Sequence, residues 1–172
     1  MAANTWNEGC AQALSEIRLM RQFKPLGNEP LDEEQASLAF SIISDSLGEF
    51  VRSRSDNSTV AVAAMCNAAI LALCVLENKG YKSDYEDLYN LLCRKQHDYG
   101  HKNIDNFGLI GVAVRMCDKI ARAENLRGKE TNAVRNETIM DTYEDIVGYA
   151  VIALMLDGGT FGLHLENKEY TR

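Results

Sequence analysis

Residues 60–76 read VAVAAMCNAAILALCVL, and no other stretch constrains the fold as much. The run falls short of the ~20 residues that span a bilayer, and Asn67 interrupts it, so a helix buried in a protein core is expected. Ala61, Ala64, Ala68 and Ala72 form a stripe of small residues along it that would let a neighbouring helix approach closely. The segments around it carry helical periodicity. Residues 5–23 read as one amphipathic helix. Residues 32–54 read as a second, capped by Asp32, with Leu38, Ile42, Ile43, Leu47 and Phe50 as its apolar stripe. SDNS (55–58) caps the next helix, and NKG (78–80) ends it with a glycine. Ser83 opens another, with Glu86 in the capping-box position. Long helices over about 104–126 and 136–157 follow, the last stopping at DGG.

No convincing alternation of period two occurs, so the expected fold is all-α, a single-domain helical bundle of about six helices. Pro25 and Pro30 are the only prolines, and QFKPLGNEPLD around them is the clearest break. The expected divisions are an N-terminal helix and linker (1–30), a helical pair or triplet (31–93), a helical unit (94–157) and a tail (158–172). The tail is expected on the surface or as a strand-like arm.

A net charge of −7 argues against nonspecific nucleic-acid binding, which rests on excess Lys and Arg. It leaves room for a small anionic ligand held by a few local cations. Cys10, Cys66, Cys74, Cys93 and Cys117 are odd in number, form no CxxC and mostly sit in apolar runs. They read as reduced, buried thiols of a cytosolic protein. MAANTWNEGCAQ lacks a basic leader followed by an apolar core. A cytoplasmic location with no membrane partner is expected.

Two helices carry charge away from their core faces. In the last, Ile139, Tyr143, Ile146, Val147, Ala150 and Leu154 share the core face. Glu137, Asp141 and Asp145 fall at i, i+4 and i+8 opposite, near Glu144. That acidic face continues into Gly148, Tyr149, Ile152 and Leu156, within a segment that is apolar all round. The carboxylates are therefore expected at the mouth of a buried region, where they need a cation. In the preceding helix Leu109, Ala113, Met116 and Ile120 form the core stripe. Arg115, Asp118 and Arg122 share another face, with Lys119 at its edge. Intrahelical ion pairs of ~0.2–0.5 kcal/mol each are the simpler reading. The alternative is that the two faces meet. Asp118, Asp141 and Asp145 would then hold Mg²⁺, while Arg115, Lys119 and Arg122 grip phosphate oxygens.

KQHDYGHKN (95–103) admits three readings. A transition-metal site from His97, His101 and Asp98 needs a continuous helix, which Gly100 opposes. A plain helix C-terminus would set His and Lys against the helix dipole. A ligand-contacting loop would use Lys95, His101 and Lys102 for charge, Tyr99 for stacking and Asn103 for hydrogen bonding.

Lys95 with Asp98-Tyr99-Gly100 and Asn103 comes first. Arg115, Asp118, Lys119 and Arg122 follow, then Asp141-Thr142, Asp145 and Tyr149-Ala150. In this order the three motifs resemble the nucleotide modification associated domain, a small helical domain common in bacteriophage genomes. The resemblance covers about 94–157. That family is similar, more distantly, to MazG-like all-α nucleoside triphosphate pyrophosphohydrolases. The resemblance implies Asp98 among the ligand contacts and a Mg²⁺ set drawn from Asp118, Asp141 and Asp145; Glu137, on the same acidic face, is a further candidate ligand. Asp145 would orient or deprotonate water. Lys119 and Arg122 stand where the hydrolases carry a second carboxylate, which fits nucleotide binding with one Mg²⁺ or none. The expected functions are Mg²⁺-dependent cleavage of a (d)NTP or related nucleotide, sponge-like capture of a nucleotide signal, or a helical oligomeric interaction module. A homodimer is expected, in the host cytoplasm if the chain is phage-encoded.

Overall fold

A helix without a polar face must sit in the middle. In the computed structural model of the chain, α3 (Ser58–Asn78) does so, with every residue from Ala68 to Leu76 buried. The structure describes residues 2–23, 33–80, 85–127 and 138–166. Around α3 stand α1 (Trp6–Phe23), α2 (Glu33–Ser53), α4 (Tyr85–Tyr99), the single turn α5 (Lys102–Asp105), α6 (Gly108–Leu126) and α7 (Ile139–Asp157). The chain is an all-α bundle, and the described residues include no strand. α7 lies against α3 over the widest surface, α6 rests on α7, and α2 closes on α3 and α6. One hydrophobic core joins all the helices. α3 is longer than its apolar run and meets the length and apolarity of a membrane span, yet most of it is buried in the bundle. Ala61, Ala68 and Ala72 are spent on packing within the chain.

The inward face of α2 differs from the expected stripe. Ile43 and Leu47 are buried, but Leu38 and Ile42 are 72% and 62% exposed, and Ala36 and Phe40 take their place. Ala36, Phe40, Ile43 and Leu47 follow the helical repeat, whereas Leu38 stands roughly 200° around the axis from Ala36. Phe40 stacks on Tyr143 of α7, ring centroids 6.1 Å apart. Tertiary packing decides which apolar residues of α2 face inward.

Local caps follow the sequence closely. The Asn57 side chain accepts from Val60 N at 3.4 Å and opens α3. Gly80 ends α3 and Gly100 ends α4, each at positive φ. Asp32 and Ser83, expected as caps, lie outside the described residues. The expected helix over 104–126 divides at Gly108, whose φ of +54° favours glycine, into α5 and α6. α7 begins with a capping box: Asp141 N donates to Thr138 Oγ1 at 3.2 Å, and Thr138 N donates to Asp141 Oδ2 at 2.5 Å. Replacing Thr138 with alanine is expected to cost about 1 kcal/mol, read as a lowered midpoint in thermal unfolding. An unchanged midpoint would show that the cap contributes nothing.

Residues 158–166 of the expected tail form neither a strand nor a detached arm, and 167–172 lie outside the described residues. Gly159 (φ +68°) reverses the chain after α7, and Phe161 enters the core. Trp6 N donates to His164 O at 2.9 Å, and Glu166 N donates to Asn7 Oδ1 at 2.8 Å. The tail thus clasps the start of α1. All five cysteines are free, four buried and Cys117 half-buried.

Candidate functional site

A cavity of about 500 Å³ opens between α4, α6 and α7. α4 contributes Lys95, and α6 contributes Arg115, Lys119 and Arg122; α7 contributes Asp141, Glu144 and Asp145. Below the charges the lining turns apolar. Gly148, Tyr149 and Ile152 continue the acidic face of α7 into it, while Trp6 of α1 and Phe161 of the tail are fully buried there. Gly148 has a reason to lack a side chain: a Cβ there would stand 2.9 Å from Leu92 Cδ2 of α4. α7 can therefore draw close to α4 beside the cavity.

Asp145 is the electrostatic hub. Lys119 Nζ lies 2.7 Å from its Oδ2, and Lys95 Nζ donates to its Oδ1. Burial pushes the Asp145 carboxyl up, but the hydrogen bonds and charges of Lys119 and Lys95 outweigh it and hold the carboxyl below its ordinary value. Burial likewise pulls Lys119 down, and Asp145 more than restores it, leaving Lys119 raised. A carboxylate held low by two lysines is a weak proton acceptor. Because the folded carboxyl titrates below its ordinary 3.8, its stabilisation is present above that pH. It is lost as pH falls through the lowered value. Asp145→Asn is therefore expected to destabilise the fold by about 1–2 kcal/mol at pH 7, moderated by solvent around Lys95. The gap to the wild type should shrink between pH 5 and pH 3 in denaturant titrations. An equal gap at both ends would contradict the ion-pair account.

The other expected site residues divide. Tyr99 lines the cavity at its rim, 76% exposed. Asp98, His101 and Lys102 are exposed and outside the lining. His97 and His101 fall on either side of the break at Gly100. His97 Nδ1 instead meets Asp98 Oδ1 at 3.1 Å, and His101 Nε2 lies 3.9 Å from Asp105 Oδ2. Asp118 is exposed and outside the lining, although its neighbour Lys119 is inside. Glu137 and the Asn103 side chain lie outside the described residues.

These placements do not fit the Mg²⁺ site that the resemblance implies. Asp145 has one oxygen on each lysine. Asp141 Oδ2 accepts from Thr138 N and Oγ1. Among the described residues, no three His, Cys, Asp or Glu side chains gather where they could hold a metal.

Sequence reasoning missed Trp6 and Phe161, which lie far from the motifs in the chain and are marked by no local pattern. Residues 95–156 match the model of a family described as nucleotide modification associated domain 1. Every charged residue that lines the cavity falls within that span, and Trp6 and Phe161 fall outside it. No curated protein and no solved structure matches the chain.

Proposed function

We propose that the cavity binds a nucleotide, with its phosphate among Lys95, Arg115, Lys119 and Arg122 and its base toward the apolar floor. One observation carries this reading: four cationic side chains from two helices converge on one cavity that Tyr149, Gly148 and Ile152 also line. Arginine and lysine suit phosphate oxygens, and the half-buried ring of Tyr149 in the lining suits a base. The family description of residues 95–156 supports a connection with nucleotides.

The charge balance refines the ligand. Four cationic against three anionic lining side chains leave one net positive charge. That small excess suits a nucleoside monophosphate better than a triphosphate. The engagement of Asp141 and Asp145 gives binding more support than metal-assisted hydrolysis. Thermal unfolding with mono- and triphosphates, with and without Mg²⁺, tests the proposal alongside an assay for released phosphate or pyrophosphate. A monophosphate at 100 times its Kd is expected to add about 2.7 kcal/mol, without Mg²⁺ and without turnover. No shift with any nucleotide would overturn it. Mg²⁺-dependent pyrophosphate release would favour the hydrolase reading instead.

A further inference from the structure

We infer that the ligand of the cavity is a dinucleotide, its phosphodiester held by the lysines and arginines, one base beside Tyr149 and the second base stacked on Tyr99. This deepens the nucleotide reading and rests on it. Leu92 packs against Gly148, and three residues further along α4 Lys95 meets Asp145, three residues earlier in α7. The two helices therefore run antiparallel beside the cavity. Tyr99 lies four residues beyond Lys95, and Tyr149 four residues beyond Asp145, a rise of about 6 Å along each helix. The two steps run in opposite directions. The tyrosines thus flank the ion pairs of Asp145 with Lys95 and Lys119, Tyr149 on the floor side and Tyr99 on the rim side. Both line the cavity.

A monophosphate carries one base and covers one of these rings. A phosphodiester carries a nucleoside on each side and covers both. Tyr99 lines the cavity yet is 76% exposed. Gly100, which directly follows it, also lines the cavity, and a Cβ there would meet nothing within 4 Å. The space beside the Tyr99 ring is therefore open. An accessible aromatic face next to cations is a platform on which any base stacks. Charge favours the same ligand. Four cationic against three anionic lining side chains leave one net positive charge. The single negative charge of a phosphodiester balances that excess, whereas a phosphomonoester carries about −1.5 to −2 at pH 7. A longer nucleic acid would carry its phosphates past the cavity, where the net charge of −7 on the chain opposes them.

The full-length chain is titrated calorimetrically, in chelator-containing buffer, with ApA, CpC, GpG and UpU. Two single-base probes accompany each: the nucleoside 5′-monophosphate and its methyl ester, which keeps the phosphodiester charge and lacks the second nucleoside. At least one dinucleotide is expected to bind roughly tenfold more tightly than the matching methyl ester, the gain that one base–aromatic stack supplies. Tyr99→Ala is expected to abolish that gain, and Tyr99→Phe, which keeps the ring, to retain it. Circular dichroism checks that both variants fold, as the exposure of Tyr99 at the end of α4 leads one to expect. If the single-base probes bind and no dinucleotide exceeds its methyl ester, the inference fails and the nucleotide reading survives. A gain that persists in Tyr99→Ala also overturns the inference. If no probe binds, both fail. A tetranucleotide that binds more than about tenfold more tightly than the dinucleotide would overturn it in favour of single-stranded nucleic acid.

Discussion

Lys119→Met is expected to lower the affinity for a nucleoside monophosphate by roughly 10–100-fold, the range for a lost hydrogen bond between charged groups. Lys119 is half-buried in the cavity wall and directed by Asp145, so its ammonium is held near the anion before binding. Pre-positioning reduces the ordering cost that a free surface lysine would incur. Asp145 keeps Lys95 as a partner in the variant, so the fold should survive, which circular dichroism checks. Lys102 is the control, being exposed and outside the lining. Lys102→Met should change affinity less than about twofold, because an exposed charge contributes little. Similar losses in both variants, read by equilibrium dialysis, would mean that the phosphate is not held in the cavity.

The second large effect lies in the tail. Phe161→Ala is expected to destabilise the chain by about 3–5 kcal/mol. The ring is 1% exposed, packs edge-on to Trp6 and seals the cavity floor. A tail that only lay on the surface would lose less than about 0.5 kcal/mol. Urea titrations of the two chains separate these outcomes through the transition midpoint. A loss under about 1 kcal/mol would contradict the clasp between tail and α1.

Helical periodicity made most of the fold legible. α3 announces itself by lacking a polar side, and α7 by an acidic face that turns apolar at Gly148. Following that face one turn further led to Tyr149 and Ile152, which line the cavity beside Asp141 and Asp145. Arg115, Lys119 and Arg122 could be grouped because they recur on one side of α6. Asp118 could not be separated from them: residues neighbouring on a helical wheel differ in exposure only once the adjacent helix is known. The same limit misassigned Leu38 and Ile42, since α2 carries apolar residues on more than one side and only its packing on α3 and α6 decides which face inward. Trp6 and Phe161 were not legible at all. Nothing local to residues 6 or 161 reports that the chain ends meet, and a hydrogen bond such as Trp6 N to His164 O is a long-range consequence of topology. The acidic motif was legible as a motif, but its chemistry was not. Asp141 spends an oxygen on its own helix cap and Asp145 spends both on lysines, which spacing alone does not reveal.

Calorimetric titration of a nucleoside monophosphate into the wild-type chain, in chelator-containing buffer at low and moderate salt, addresses the basic cleft most directly. Saturable binding of one nucleotide per chain is predicted without divalent metal, weakening as salt screens the lysines and arginines. Absence of binding, binding only after Mg²⁺ is restored, or an affinity indifferent to salt would contradict it.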